Sequence, residues 1–216
     1  MKAHDLLGTP LKKVSRSFYL TLKILPRPVR RPVGLAYLFA RAADTIADTA
    51  LISRADRRKY LELFREAFRS GEISRLRGLS EELAAPTGNA AEQELLARLD
   101  EGFALLYGLD ATDQAMIRDL ILTLTEGMVM DLATFPGEDE GRLVALETRA
   151  NLDRYTYYVA GCVGEFWTDI HMAHCRSLAG WDRAAMGRLG VRFGKGLQMT
   201  NEIGRASCRE RVCQYV

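Results

Sequence analysis

The apolar residues of this 216-residue chain recur at helical spacing nearly everywhere, and this periodicity limits its fold more than any other feature. Helix start and stop signals interrupt the pattern at frequent intervals. Strand signals are almost absent, since no segment of alternating apolar and polar residues is bounded by turn residues. The sequence therefore predicts one all-α domain without internal repeats.

Capping residues divide the chain into six long predicted helices. The predicted starts are Pro28 with Pro32, Ser53, Asn89, Asp110 or Thr112, Asn151, and Asp182. The predicted ends of the first five are Thr49, Gly71, Gly108, Phe135 and Cys175. Between Gly71 and Gly88 we expect a polar connection with room for one short helix.

The composition excludes several classes of protein. Hydrophobic residues make up 48% and charged residues 27%, and the net charge of +2 gives no electrostatic case for a nucleic-acid partner. The N-terminus is too polar for a signal peptide, and the longest apolar run of the first half is far shorter than a membrane span. The four cysteines lack disulfide or metal-ligand spacing. These features predict a cytoplasmic protein without a transmembrane segment.

The helix predicted to end near Thr49 has an unusual polar stripe. At about 100° per residue, Tyr37, Arg41, Asp44 and Asp48 fall within roughly 60° of one another. Nearly all the other positions are apolar, whereas a surface helix normally has a broad polar face. This inverted pattern predicts a helix surrounded by protein, with its stripe facing a cavity or other polar groups.

Buried carboxylates require partners. Arg41 can pair with Asp44 three positions later, which leaves Asp48. Two carboxylates one helical turn apart suit Mg²⁺, which prefers oxygen ligands. The alternative is a structural arginine–aspartate network with Asp48 at a solvated helix end. The residues alone leave both interpretations open.

Four motifs in a fixed order resemble those of the squalene/phytoene synthase family, the head-to-head prenyl transferases. They are SRSFYLTLKILP from Ser15, YLFARAADTIAD from Tyr37, EGMVMDL from Glu126 and YTYYVAGCVG from Tyr155. The resemblance extends roughly from Leu7 to Asn201. It implies an all-α isoprenoid-synthase fold around a central cavity, and condensation of two prenyl diphosphates through a cyclopropylcarbinyl diphosphate.

The resemblance also implies roles for individual residues. Asp44 and Asp48 correspond to the first aspartate-rich motif, which binds diphosphate through Mg²⁺; Ala47 stands where many members have an acid. The implied catalytic residues are Tyr37, Arg41 and Tyr155. The implied substrate-binding residues are Ser15, Arg16, Ser17, Phe18, Gln198 and Asn201.

Several other residues have two interpretations. Gly161 and Gly164 leave room either for a neighbouring helix or for an isoprenoid tail. Glu126 and Asp131 form either an internal ion pair or part of a polar pocket, and we expect Tyr157 and Tyr158 to serve in packing. A second metal site could be formed by Asp169, His171, His174 and Cys175, but this spacing is weak evidence and favours a structural or surface role.

The C-terminal sequence departs from the family pattern. GLQMTN ends at Asn201, yet no aspartate occurs after Asp182, so the family's second aspartate motif is absent. Residues 202–216 resemble a translated sequencing adapter. We therefore expect a partial synthase domain over residues 1–201, a non-native tail, a fold incomplete at its C-terminus, and no synthase activity in this 216-residue chain.

The leading functional interpretation is condensation of two farnesyl diphosphates to presqualene diphosphate and then squalene, with Mg²⁺ and NADPH. An apolar product would favour peripheral association with a membrane. The first alternative is phytoene synthase, which uses geranylgeranyl diphosphate without NADPH. The others are a non-catalytic helical binding or scaffold protein and, with less support, a head-to-tail prenyl transferase.

Overall fold

The computed structural model describes residues 6–15, 18–49, 52–76, 79–83, 89–135 and 144–208, and for 80, 81 and 203–208 it describes the backbone alone. Within these ranges every regular element is a helix. The all-α prediction is therefore confirmed. None of the described helices combines the length and apolar character of a membrane span.

The described residues of the first half of the chain form seven α-helices. They are α1 (Thr9–Ser15), α2 (Phe18–Ile24), α3 (Arg27–Asp48), α4 (Arg54–Ser70), α5 (Leu79–Glu82), α6 (Ala90–Ala97) and α7 (Leu99–Tyr107). The second half contains α8 (Ala111–Thr134), α9 (Arg149–Thr156), α10 (Cys162–His174) and α11 (Arg183–Cys208). A π-helical turn (Tyr157–Gly161) joins α9 to α10, and short 3-10 helices span Ile73–Leu76 and Arg176–Leu178.

The chain divides into two compact units. The first unit comprises Met1–Leu122 and Ile170–Ala179, and the second comprises Thr123–Asp169 and Gly180–Val216. Helices α8 and α10 each contribute residues to both units.

Four phenylalanines form the centre of the first unit. Phe39 of α3 lies 4.9 Å from Phe68 of α4 and 5.1 Å from Phe103 of α7 between ring centroids, and Phe64 packs beside Phe68. All four side chains are almost fully buried. Aromatic pairs at this separation add to the stabilisation from burial, so this cluster fixes α3 against α4 and α7.

Local capping signals identify several helix ends correctly. The Ser53 hydroxyl accepts a hydrogen bond from the backbone N–H of Asp56 at the start of α4. Gly71 ends this helix with a positive φ of 78°, a conformation that glycine adopts without a Cβ penalty. The Asp182 carboxylate likewise accepts from the N–H of Ala185 at the start of α11.

Other predicted boundaries are wrong. The helix predicted from Asn89 to Gly108 is two helices, because the backbone of Arg98 leaves the helical conformation between α6 and α7. The Arg98 guanidinium is mostly buried, and it bonds Glu101 at 2.9 Å. Pro32 lies beyond the first turn of α3, within the helix.

The helix predicted to run unbroken from Asn151 also differs. Its cap is Thr148, whose hydroxyl accepts from the N–H of Asn151, and the helix widens into the π-helical turn. Along this segment the buried positions are Thr156, Gly161, Cys162, Phe166 and Ile170. The five-residue step from Thr156 to Gly161 matches the π-helical turn, which keeps one face of the segment buried.

Glycines allow α11 to approach the π-helical turn and α10 closely. A Cβ added at Gly164 would overlap the carbonyl oxygen of Gly190, and one added at Gly194 would overlap that of Ala160. At Gly161 the nearest side chains of α11 are those of Lys195 and Val191. Of the two interpretations for Gly161 and Gly164, the structure shows helix packing.

We predict that Gly190→Ala destabilises the protein by about 1–3 kcal/mol, because the new methyl group would overlap the backbone of Gly164. The matched control is Gly187→Ala in the same helix, where an added Cβ meets nothing within 4 Å. That control should stabilise α11 by up to about 1 kcal/mol through helix propensity. Thermal unfolding by circular dichroism measures both, and equal melting temperatures would contradict the packing argument.

Candidate functional site

The predicted polar stripe is present on α3. Tyr37, Arg41 and Asp44 are partly exposed and Asp48 is exposed. The positions between them are almost all buried, and these include Leu38, Phe39, Ala42, Ala43, Ile46 and Ala47. The inverted pattern therefore reflects a helix held by protein over most of its circumference.

The strongest partner of Arg41 is Glu92 of α6. One guanidinium nitrogen is hydrogen-bonded to the Glu92 carboxylate, whereas the Asp44 carboxylate lies at 4.0 Å from the other. Burial works against the charged form of Arg41, but the hydrogen bond and charge of Glu92, with a smaller effect of Asp44, raise its pKa. The predicted Arg41–Asp44 pairing is therefore secondary.

Glu92 was missed by sequence reasoning, although a local signal existed. Asn89 caps α6 by accepting a hydrogen bond from the N–H of Ala91, and its amide also donates to Glu92 at 3.3 Å. An asparagine followed three residues later by glutamate is typical of a helix start. The signal locates Glu92 in the first turn of α6, but only the packing of α6 against α3 brings it to Arg41.

The negative charges around the Asp44 carboxylate outweigh the positive charge of Arg41. Desolvation and then the charge of Asp48 raise the pKa of its carboxyl to about 6, and Arg41 offsets this only in part. Glu92 also contributes in the raising direction. A carboxylate in this field is stabilised by an added cation, since the nearby guanidinium is already shared with Glu92.

Asp48 borders a cavity of about 120 Å³ in the first unit. Most of its lining surface is apolar and includes Leu83 and Leu96, and its polar side chains are those of Thr45, Asp48, Thr49, Asn89, Glu92 and Gln93. Carboxylate, hydroxyl and amide oxygens are ligands that Mg²⁺ and other hard cations accept. The donor set at this end of α3 therefore fits the metal that the family resemblance implies.

The remaining predicted residues of the first unit lie around Tyr37. The ring of Phe18 stacks on that of Tyr37 at 5.0 Å, and the Tyr37 hydroxyl donates to the carbonyl of Val14 at 3.4 Å. Ser15 is buried, and its hydroxyl donates to the carbonyl of Leu11 at 2.6 Å. Arg16 and Ser17 lie outside the described residues.

Three predicted site residues lie in the second unit. The Tyr155 hydroxyl donates to the Asp131 carboxylate at 3.1 Å, and the Tyr155 ring packs edge-on against Phe135. The Gln198 amide donates to Glu202 at 2.5 Å, and Asn201 is exposed. The structure therefore links Asp131 to Tyr155, a pairing that the sequence did not predict.

Tyr157, which we expected to serve in packing, also has a polar partner. Its hydroxyl donates to Glu165 at 2.8 Å, and the ammonium group of Lys195 lies 5.7 Å from its ring centroid. Burial and the Glu165 carboxylate raise the pKa of Tyr157 to about 12. The side chain therefore stays protonated and braces α10 and α11.

Among the described residues, one group of potential metal ligands includes a histidine. Donor atoms of Asp110, Asp113 and His174 all lie within 4.8 Å of one another, and His174 Nε2 is 2.7 Å from the nearly buried Asp113. The sequence had grouped His174 with Asp169 instead, but Asp169 bonds Arg183 at 2.8 Å. The structure therefore shows a hydrogen-bonded contact between the start of α8 and the end of α10, two helices that are distant in sequence.

A larger cavity, of about 690 Å³, lies in the second unit between α10 and α11. It is lined by Glu165 and Asp169 on one helix and by Arg183, Arg188 and Arg192 on the other. Apart from Asp169, none of the predicted site residues lines it.

Comparison with known proteins supports the resemblance. The squalene/phytoene synthase family model matches residues 11–205. A squalene synthase of Eremothecium gossypii is 29% identical over 169 residues, covering 75% of this chain and 34% of the relative. A bifunctional lycopene cyclase/phytoene synthase of Blakeslea trispora is 28% identical, covering 76% of this chain and 24% of the relative.

A solved structure has the same fold. The squalene synthase TcSQS, in complex with a ligand, superposes with a TM-score of 0.64 at 26% identity, over 88% of this chain and 51% of that chain. The chain thus spans about a third of the length of the squalene synthase of Eremothecium gossypii and about half of the solved one.

We predict that Asp44 makes stability pH-dependent in metal-free buffer. Its pKa is about 6 in the folded protein against 3.8 for the unperturbed group, so the folded state binds more protons between these values. The free energy of unfolding should therefore fall as the pH rises through this window. Asp44→Asn should lack this fall, which thermal melts at closely spaced pH values can measure.

A matched pair of variants can isolate the effect of Glu92 on the pKa of Asp44. Glu92→Gln removes one negative charge and releases Arg41 to Asp44, so the pKa of Asp44 should decrease and the pH window should narrow. Glu94→Gln alters the same helix at a residue that pairs with Lys13, and it should leave the window unchanged. The pH titration of the Asp44 carboxyl carbon can be followed by NMR. Identical titration curves in the two variants would contradict the competition between Glu92 and Asp44 for Arg41.

Proposed function

The chain belongs to the squalene/phytoene synthase family, and we propose that its function is the head-to-head condensation of two prenyl diphosphates. We further propose farnesyl diphosphate as the substrate, with presqualene diphosphate as the intermediate and squalene as the product.

The observation that carries this proposal is the pair of acidic side chains at the end of α3. Asp44 and Asp48 are one turn apart, and the charge of Asp48 helps to hold the pKa of Asp44 at about 6. Their carboxylates would hold Mg²⁺, together with oxygens of the adjacent cavity. Bound there, the ion would neutralise the negative charge that develops when diphosphate leaves.

Arg41 would bind the diphosphate directly. Its planar guanidinium suits phosphate oxygens, which can accept two parallel hydrogen bonds. Because Glu92 already occupies this group, a diphosphate oxygen would take the place of the Glu92 carboxylate. Arg41 would thereby orient the leaving group next to the two aspartates.

Tyr37 and Phe18 would face the developing carbocation. Tyr37 lies about two turns before Asp44 and three before Asp48 on the same face of α3, and the ring of Phe18 from α2 stacks on it. Aromatic faces attract cations and contribute no strong nucleophile, so they suit an allylic cation. In the second unit, the Asp131 carboxylate would fix the orientation of the Tyr155 hydroxyl, which the family resemblance implies to be catalytic.

The choice of substrate rests on the relatives. Squalene synthases of Eremothecium gossypii and Schizosaccharomyces pombe match 75% and 71% of this chain. The phytoene synthase activity named for the Blakeslea trispora relative, whose match covers a similar share, supports a second candidate. Condensation of geranylgeranyl diphosphate to phytoene would need no NADPH, whereas squalene formation would.

We predict Mg²⁺-dependent binding of inorganic diphosphate to the first unit. Asp44→Ala and Asp48→Ala should each weaken binding by about tenfold or more, which corresponds to about 1.4 kcal/mol. Glu72→Ala removes an exposed carboxylate after α4 that pairs with Arg75, and it should bind normally. Isothermal titration calorimetry with and without Mg²⁺ measures this, and absent or metal-independent binding would favour a scaffold protein of the same fold.

We predict no turnover by the 216-residue chain, because it has one of the two aspartate motifs that the family places around its metal ions and no aspartate after Asp182. A sequence that continues GLQMTN with a second aspartate motif should convert farnesyl diphosphate to squalene when NADPH is present. Product chromatography with farnesyl and geranylgeranyl diphosphate distinguishes the two candidates. Product formation by the purified short chain would refute the first expectation.

A further inference from the structure

Three potential metal ligands converge where the start of α8 meets the end of α10. Donor atoms of Asp110, Asp113 and His174 all lie within 4.8 Å of one another, and all three residues belong to the first unit. His174 is the last residue of α10 and lies 61 positions after Asp113 in the sequence. Tertiary packing therefore adds an imidazole nitrogen from a second helix to two carboxylates, which distinguishes this group from an acidic cluster on one helix.

The charges of these three side chains do not balance. The Asp113 side chain is only 5% exposed, and its Oδ1 atom lies 2.7 Å from His174 Nε2. Burying a carboxylate is costly unless its charge is compensated. The exposed Asp110 adds a second carboxylate at the same point, so even a protonated imidazole would leave one negative charge in excess. A bound dication would remove this excess.

Asp110 can bind a further ligand without giving up its role in the helix. Its Oδ1 atom accepts a hydrogen bond from the backbone N–H of Asp113 at 2.9 Å, which caps the start of α8. A carboxylate has two oxygens with about four acceptor positions between them. The cap therefore occupies only part of the Asp110 carboxylate, and the exposure of this residue gives water access to the group.

The donor set selects one class of cation. Imidazole nitrogen suits Zn²⁺, Co²⁺ and Ni²⁺, whereas Mg²⁺ and Ca²⁺ prefer oxygen ligands alone. Zn²⁺ with three protein ligands keeps a fourth position for water, and bonds of about 2.0–2.2 Å separate its ligand atoms by about 3.4 Å in a tetrahedron. The distance of 2.7 Å between His174 Nε2 and Asp113 Oδ1 and the upper bound of 4.8 Å for the whole group lie on either side of this value. Shifts of about 1 Å at the side-chain ends would therefore assemble the site.

We propose that Asp110, Asp113 and His174 form a binding site for a transition-metal dication of the Zn²⁺ class, with water in the fourth position. The ion would join the start of α8 to the end of α10, across 61 positions of sequence. A metal ion that closes a long loop and binds only the folded chain stabilises that fold. The site is therefore structural, and it does not depend on the proposed function, which uses Asp44 and Asp48 of α3.

The test titrates the 216-residue chain with Zn²⁺ by isothermal titration calorimetry, after chelator treatment and in an excess of Mg²⁺ that occupies oxygen-only sites. His174→Gln and Asp113→Asn should each weaken the binding of one Zn²⁺ equivalent by about tenfold or more. Asp110→Asn should weaken it as well, and this variant keeps the start of α8 because asparagine caps helices as well as aspartate does. The matched control is His171→Gln, one turn earlier in α10, which should bind Zn²⁺ normally.

Thermal unfolding gives a second readout. Zn²⁺ at about 100 times its Kd should raise the Tm of the unaltered chain and of His171→Gln by roughly 5–10 °C, and should raise that of His174→Gln much less. Unchanged Zn²⁺ affinity in folded His174→Gln, or no binding at about 100 µM Zn²⁺, would overturn the proposal. Loss of binding in His171→Gln alone would also overturn it and assign the ion to another group. If His174→Gln does not fold, the same comparison with Asp110→Asn decides.

Discussion

The packing of Phe39 against Phe64, Phe68 and Phe103 is the constraint on which the first unit depends. It fixes the rotation of α3, because a helix with this aromatic side chain inserted between α4 and α7 can expose only the opposite side. The opposite side is where the polar stripe lies. The hydrophobic core thus decides which way the two aspartates point, and the partial burial that follows is the main cause of the raised pKa of Asp44.

The charge distribution along the polar stripe is uneven, because the one guanidinium of Arg41 interacts more strongly with Glu92 than with Asp44. Arg41 is bonded to Glu92 and lies only within 4.0 Å of Asp44, while Asp48 adds a further negative charge. Three carboxylates around one guanidinium leave a net negative field at the end of α3. The same field that disfavours ionisation of Asp44 would attract a divalent cation, as the proposed function requires.

Features set by short sequence distances could be predicted, and features set by tertiary contacts could not. The caps at Ser53, Gly71 and Asp182 depend on residues within one turn, and the stripe on α3 depends on about three turns of one helix. No glycine or proline marks the helix break at Arg98. The break is stabilised instead by hydrogen bonds of a mostly buried guanidinium. The Arg41–Glu92 and Asp113–His174 pairs join residues 51 and 61 positions apart, which no local pattern can identify.

The π-helical turn makes the segment from Thr148 to His174 tolerant of a one-residue deletion at one place. Five residues from Thr156 to Gly161 complete a turn that an ordinary α-helix completes in about four. The turn therefore contains one residue more than an α-helical turn would need to keep the buried faces of α9 and α10 aligned. Loss of a single residue between these two positions would convert it to a regular helix and leave both flanking halves in phase, whereas the same loss elsewhere in the segment would rotate one half by about 100° and expose its buried face.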